Sequence, residues 1–284
     1  MHAEESQKVK SRLSNVAVLI PTHKRFSELN NNERASLLQI KTVLKLREVY
    51  IIHPDYVNPV EYINLLAPVS CRSIKMNNKF FGSIPRSSRL LTSNALYDHF
   101  IDYDYILLHH LDAFVFSDDL DYWCNQELDY IGAPWIYNYD PNSPVRFDGV
   151  GNGGFSLRKV SSFRLISKNR RFVLDRMKLT FMYRFLKSLP YPFVKKFLGI
   201  NFLMGKLHPH TVYEDGFWGQ IVPKFYDWFR VGSPEQAVRF SFEVYPRTLF
   251  KITKGRLPFG CHAWAKNDPE FWKHFIPSAL HGTA

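Results

Sequence analysis

The sequence is poor in cysteine and has no long hydrophobic run. Its 284 residues include three cysteines, Cys71, Cys124 and Cys261, and no two of them have the C-x-x-C spacing. This count excludes a disulfide framework and fits a reducing cytoplasm. No apolar stretch reaches the roughly 20 residues that span a bilayer, and the polar segment from Met1 to Asn15 lacks the apolar core of a signal peptide. We therefore expect a cytoplasmic protein, soluble or peripheral on a membrane.

The common phosphate-binding motifs are also missing. Neither G-x-G-x-x-G nor G-x-x-x-x-G-K-[ST] occurs, which removes the usual support for a dinucleotide fingerprint or a P-loop. The composition, 45% hydrophobic and 22% charged, excludes disordered and collagen-like classes. A chain of this length and composition is able to bury a sizeable core.

The positive charge is concentrated in one segment. The net charge is +11, and residues 158–206 hold thirteen Lys and Arg against a single acid, Asp175, so this segment carries +12 and the rest of the chain −1. Its basic residues alternate with Phe, Leu, Met and Tyr, which favours one or two amphipathic helices. Such helices either pack on the core or lie on an anionic membrane surface. Nucleic acid is disfavoured as a partner, because no recognised nucleic-acid motif accompanies the charge.

Apolar runs and helical spacings alternate along the first half of the chain. The pattern predicts strands at 16–20, 48–52, 69–74 and 104–109, and helices at 32–46, 60–66 and 85–100. Strands that alternate with helices indicate an α/β fold with a mixed, mainly parallel sheet. We expect a single catalytic domain over residues 1–284, with the basic helical insertion at 158–206 inside it.

Four places in the sequence carry residues suited to chemistry. Asp112 follows the strand at 104–109, on the edge where α/β sheets bind ligands, although it could equally cap a turn. Paired glycines follow Asn152 and allow a close backbone approach to a ligand, or form an ordinary turn. Glu214 and Asp215 offer a general base, or simply begin a helix. His262 lies in an apolar stretch, where a histidine is more often a core residue than a ligand.

The order of these segments resembles the nucleotide-sugar glycosyltransferases of the GT-A fold. The segments are Val18 to Thr22, Tyr103 to Phe116, Tyr130 to Trp135, Asn152 to Ser156, Glu214-Asp215 and His262. Among these enzymes the chain is most similar to an uncharacterised bacterial and fungal glycosyltransferase-like family. The likeness runs from about Val16 to Trp264, except for the basic insertion, and implies a GT-A-like α/β fold.

The resemblance also implies a role for each candidate. Asp215, with Glu214 beside it, would be the general base of an inverting displacement. Asp112 would hold a divalent cation that bridges the donor diphosphate, and His262 would be a late ligand of the metal or the diphosphate. The donor would lie against Pro21, Thr22, Asp55, Asp112, Asn152, Gly153 and Gly154.

One departure from the family pattern bears on the metal. The pattern is often acid-x-acid, and here His110 stands where the first acid would be. A histidine shifts the preference from Mg²⁺ toward Mn²⁺. Metal-independent transfer, with Arg86, Arg89 or Lys251 neutralising the diphosphate, stays open.

The function that these residues and the resemblance favour is glycosyl transfer. A nucleotide diphosphate-sugar, with a UDP-sugar as the first choice, would donate to a glycan or a lipid-linked acceptor. The alternatives are a non-catalytic module that binds nucleotide-sugars or glycans, and a nucleotidyltransferase. An anionic membrane surface would be a further partner of residues 158–206.

Overall fold

The computed structural model describes residues 14–137, 139–169 and 213–276. Its strands are β1 (Val16–Pro21), β2 (Glu48–His53), β3 (Cys71–Lys75), β4 (Tyr105–His109), β5 (Ala113–Val115), β6 (Tyr130–Ile131), β7 (Pro134–Ile136), β8 (Phe147–Val150), β9 (Phe155–Lys159), β10 (Ser241–Phe242) and β11 (Gly260–His262). Its α-helices are α1 (Asn31–Val43), α2 (Val60–Leu66), α3 (Ile84–Leu91), α4 (Asn94–Tyr97), α5 (Leu120–Cys124), α6 (Val160–Lys168), α7 (Glu214–Gly216), α8 (Pro234–Phe240), α9 (Pro246–Ile252) and α10 (Pro269–Trp272).

A six-stranded sheet with strand order β3-β2-β1-β4-β9-β6 lies at the centre. The first four of these strands run parallel. Strand β9 runs antiparallel to both of its neighbours, β4 and β6. The sheet is therefore mixed and mainly parallel, as the sequence predicts.

Helices cover both faces of this sheet, which explains why its central strands are apolar along most of their length. In β1, Val18 and Ile20 pack in the same cluster as residues of α1 and α2. Ala17 and Leu19 of the same strand pack with residues of α3, α4 and α6. All four side chains are fully buried, the burial pattern of a parallel sheet with two covered faces.

Two smaller sheets complete the C-terminal side of the fold. One has the order β10-β11-β5, with β11 antiparallel to β5, and the other is the hairpin of β7 and β8. The first sheet packs with α8, α9 and α10 through an aromatic cluster that includes Phe242, Phe271 and Trp272.

The predicted helix at 85–100 is interrupted in the structure. Helix α3 ends at Leu91, and α4 begins after Ser93, whose side chain accepts a hydrogen bond from the Ala95 amide at 3.2 Å. Thr92 also hydrogen-bonds back to the Ser88 carbonyl at 2.7 Å. Serine and threonine compete for backbone groups in this way, which ends one helix and caps the next.

The first residues of the predicted basic insertion form regular structure. Arg158 and Lys159 end β9, and Val160–Lys168 form α6. The remainder of the insertion, residues 170–206, lies outside the described residues. Within the described part of the chain, no helix has the length and apolar character needed to cross a bilayer.

Candidate active site

The carboxyl end of β4 meets the start of β9 at one edge of the central sheet. Because the two strands are antiparallel, with His109 opposite Phe155, the loop that follows β4 lies beside the paired glycines that precede β9. The His110 amide donates to the Gly154 carbonyl at 2.7 Å. Residues more than 40 positions apart are thereby joined at the edge where ligands bind in α/β sheets.

Strand β11 brings His262 to the same place. It pairs with β5 so that His262 lies opposite Ala113, the residue after Asp112. The His262 Nε2 atom is 3.3 Å from Asp112 Oδ1. A β-carbon on Gly154 would lie 2.0 Å from that Nε2 atom, so only glycine leaves room for the imidazole.

His110, Asp112 and His262 form a candidate metal site. Each offers one ligand atom, and the three atoms lie within 4.8 Å of one another. Burial and the neighbouring His262 lower the pKa of His110 to about 3, so this imidazole is neutral and has a lone pair for a cation. Two imidazoles and a carboxylate suit a first-row transition ion such as Mn²⁺ better than Mg²⁺.

Glu243, which the sequence analysis did not identify, supports this site. Its carboxylate lies 2.9 Å from His262 Nδ1, the arrangement by which an outer carboxylate orients a metal-binding histidine. Burial lowers the pKa of His262, but hydrogen bonds with Asp112 and Glu243 outweigh it and raise that pKa to about 10. Without a cation the site therefore holds a proton on His262, and a bound cation would have to displace that proton.

Glu214 is buried in an ion pair beneath the paired glycines. Its carboxylate lies 3.0 Å from the guanidinium of Arg158, which is fully buried. The guanidinium also donates to Tyr97 and Ser156 at 3.1 and 3.0 Å. Burial outweighs the attraction of Arg158 and raises the pKa of Glu214 to about 7. A β-carbon on Gly153 would lie 2.8 Å from this carboxylate, so the Glu214 side chain packs directly against the glycine turn.

Asp215 is more accessible than its neighbour. It is half-buried, and its Oδ1 accepts a hydrogen bond from the Gly216 amide at 2.8 Å. Burial, with the charge of Glu243 as a further contribution, raises the pKa of Asp215. A single π-helical turn, Phe217–Ile221, follows directly, and such turns occur frequently at functional sites.

Asn152 holds the glycine turn in place. Its Oδ1 accepts hydrogen bonds from the amides of Gly154 and Phe155 at 2.7 and 2.8 Å, and the side chain is fully buried. The backbone amide of Asn152 donates a further hydrogen bond to Tyr130 Oη at 2.9 Å. Asn152 therefore fixes the conformation of the turn that precedes β9.

The predicted nucleotide-binding residues lie at the ends of β1 and β2, on the same edge of the sheet. Pro21 ends β1, and the buried Thr22 hydroxyl lies 3.3 Å from Tyr62 Oη. The exposed Asp55 accepts a hydrogen bond from Asn78 Nδ2 at 2.7 Å.

The three basic residues considered for metal-independent transfer are all exposed. Arg86 and Arg89 belong to α3, and Lys251 belongs to α9. Helix α3 does approach the site, because Ser88 Oγ lies 3.4 Å from the Glu214 amide.

Comparison with known proteins gives one family and a group of similar folds. A protein-family model described as "Protein of unknown function (DUF5672)" matches residues 70–262. No curated protein matches the sequence. The chain is similar to the crystal structure of the galactosyltransferase LgtC in complex with donor and acceptor sugar analogs, at 12% identity and a TM-score of 0.50, over 94% of this chain and 95% of that one. The GT-A-like α/β fold is thereby confirmed.

Two further solved glycosyltransferases are similar at lower TM-scores. GlyE of Streptococcus pneumoniae is 16% identical with a TM-score of 0.46, over 93% of this chain, and this chain spans 57% of the length of GlyE. Mouse xyloside xylosyltransferase 1 is 10% identical with a TM-score of 0.48, over 88% of this chain and 97% of that one.

Proposed function

Because this chain belongs to the family described as "Protein of unknown function (DUF5672)", whose description assigns no activity, we propose its function from its fold and its site. The protein transfers a sugar from a nucleotide diphosphate-sugar to a hydroxyl group of a glycan or lipid-linked acceptor. The observation that carries the proposal is the cluster of His110, Asp112 and His262, which lies beside the glycine turn on a GT-A-like fold. A UDP-sugar is the first donor to test.

The residues of this cluster fit a divalent cation. His110, Asp112 and His262 would hold it, Glu243 would orient His262, and the donor set favours Mn²⁺ over Mg²⁺. When bound, such a cation neutralises the charge of a leaving diphosphate. Pro21, Thr22 and Asp55 would contact the nucleotide, and the turn of Asn152, Gly153 and Gly154 would line the donor site beside His262.

Asp215 is the carboxylate that remains for proton transfer. Glu214 is paired with Arg158, and Asp112 and Glu243 both contact His262. Asp215 would take the proton of the acceptor hydroxyl as its oxygen bonds to the anomeric carbon and the bond from that carbon to the diphosphate breaks. Its raised pKa makes it a stronger base than an exposed aspartate. Attack opposite the leaving group inverts the anomeric configuration, and Glu214 acts by supporting the loop.

Substitution of Asp215 tests this assignment. The Asp215→Asn variant should lose transfer by about 100-fold or more while it still binds donor, whereas Asp227→Asn, at an exposed aspartate, should transfer normally. NMR of the product should show an inverted anomeric centre. Retained configuration, or full turnover by Asp215→Asn, would remove Asp215 from the role of base.

A cytoplasmic location at an anionic membrane surface completes the proposal. Its support is the charge of +12 in residues 158–206, of which only the buried Arg158, paired with Glu214, is known to be withdrawn from the surface. Most of the segment lies outside the described residues. Flotation of the full chain with vesicles should succeed with phosphatidylserine and fail with phosphatidylcholine alone. Equal recovery with both compositions would contradict it.

A further inference from the structure

The indole of Trp135 lies against the backbone next to Asp215. A β-carbon on Gly151 would lie 2.4 Å from the Trp135 ring and 3.2 Å from the Asp215 carbonyl oxygen. Gly149 and Gly219 also face the ring, with β-carbon positions 3.4 and 3.6 Å from it. Three glycines thus make the space that the indole fills, and the ring remains only partly buried.

Tyr245 and Tyr139 form a second aromatic surface, close in sequence to Glu243. Tyr245 follows that residue by two positions and stacks on Tyr139, with ring centroids 4.0 Å apart and an interplanar angle of 23°. The Tyr139 hydroxyl lies 2.7 Å from Thr248 Oγ1, which ties the loop of the hairpin to α9. Tyr245 is 43% exposed although one of its faces is covered by Tyr139, so its accessible area lies on its other side.

The backbone of Tyr245 is strained. Its φ and ψ are both 51°, in the left-handed region that a bulky side chain adopts at a cost of about 1–2 kcal/mol. Strain of this kind is concentrated at ligand-binding positions. The packing around Tyr245 therefore holds its backbone in a conformation that a tyrosine disfavours, and this fixes the position of the ring.

The loop that joins β7 and β8 adds polar groups to these rings. Its described residues border an open surface pocket of about 250 Å³ whose lining includes Tyr137, Tyr139, Asp140, Ser143 and Arg146. The Asp140 carboxylate accepts from Ser143 Oγ at 2.6 Å. The lining combines aromatic faces with a few hydrogen-bond donors and acceptors, the composition typical of a ligand subsite.

We propose that Trp135, the Tyr139–Tyr245 stack and the polar residues Asp140, Ser143 and Arg146 form the acceptor subsite, and that its occupant is a pyranose ring of a carbohydrate. This inference rests on the proposed sugar transfer. A pyranose has an apolar face of C–H groups and a rim of hydroxyls, so it matches exposed aromatic faces beside Asp140 and Arg146. A purely apolar occupant would desolvate both of these charged groups without replacing their water.

Saturation-transfer NMR of the intact protein with methyl pyranosides of the common hexoses tests the subsite without a donor. The variants are Tyr245→Ala and Trp135→Leu. Tyr122→Ala is the control at another exposed tyrosine, on α5. Trp135→Phe keeps an aromatic ring and serves as the conservative variant. Thermal unfolding of each variant separates loss of the fold from loss of the subsite.

The expected result is that at least one methyl pyranoside binds the wild type, Tyr122→Ala and Trp135→Phe. Its Kd should rise about tenfold in Tyr245→Ala and Trp135→Leu. In turnover assays the KM of the acceptor should rise likewise, with the KM of the donor changed less than about twofold.

Two results would overturn the subsite: no pyranoside binds the wild type, or Tyr245→Ala and Trp135→Leu bind as the wild type does. The NMR measurement does not depend on turnover. A wild type that binds pyranosides but turns over no donor would therefore refute the sugar transfer and leave the binding subsite standing.

Discussion

Replacement of Glu243 by glutamine tests whether His262 is oriented as a metal ligand. Glutamine keeps the length of the side chain and one oxygen that could accept from His262 Nδ1, now 2.9 Å from the Glu243 carboxylate. It removes the negative charge that, with Asp112, raises the pKa of His262. Only the charge-assisted part of the contact is lost, which makes Glu243→Gln more informative than a truncation.

The expected magnitude follows from the exposure of this carboxylate. Removal of an outer-shell partner of a metal-binding histidine costs about 10- to 100-fold in metal affinity. The Glu243 side chain is 26% exposed, so water screens part of its charge. We therefore expect a loss at the lower end, about tenfold in the Kd for Mn²⁺ after correction for the proton that the cation displaces, or about 1.4 kcal/mol. Titrations at several pH values give this corrected Kd, because Glu243→Gln also lowers the pKa of His262.

Isothermal titration of MnCl₂ into the full chain measures this affinity directly. Glu235→Gln is the matched control, because Glu235 is an exposed glutamate in the first turn of α8. An unchanged Kd in Glu243→Gln would refute the orienting role of Glu243. An equal loss in Glu235→Gln would show that the effect comes from net charge.

Three further variants test the glycine turn and the buried ion pair. Gly154→Ala should abolish Mn²⁺ binding, because the new β-carbon would lie 2.0 Å from His262 Nε2. Gly153→Ala should keep Mn²⁺ binding, because its new β-carbon would meet Glu214 at 2.8 Å and not His262. Equal Mn²⁺ affinities of the two alanine variants by titration would contradict the geometry. Burial raises the pKa of Glu214 from 4.5 to about 7, so the folded protein holds this proton more tightly than the unfolded chain. The free energy of unfolding should therefore fall by about 3 kcal/mol from Glu214 between those pH values. Denaturant titrations should show a smaller fall in Glu214→Gln, and identical pH profiles would contradict the raised pKa.

The sequence predicts the central sheet because its strands are covered on both faces. The runs that became β1, β2 and β4 are apolar apart from the end residues Glu48, His53 and His109, and burial on both faces is the cause of that pattern. The antiparallel β9 lacks this apolar run because Ser156 and Arg158 interrupt it, and no local signal predicts its pairing with a strand 50 residues earlier in the chain.

The site was only partly accessible from the sequence. Asp112 and His262 carry local signals, whereas Glu243 follows a two-residue strand that is too short to show any periodicity. In the sequence, Arg158 is the first residue of the basic segment. In the structure it lies in the core against Glu214, 56 residues away. No local pattern predicts a contact at that separation.

Acceptor-independent breakdown of nucleotide diphosphate-sugars tests the central claim most directly. The full chain with Mn²⁺ should slowly release a nucleoside diphosphate from at least one donor of a panel of UDP-, GDP- and other nucleotide-sugars. Asp112→Asn should weaken donor binding and this release, because Asp112 lies in the cluster that would hold the cation. Pyrophosphate release from a nucleoside triphosphate would contradict the account, and so would donor binding without any breakdown or transfer.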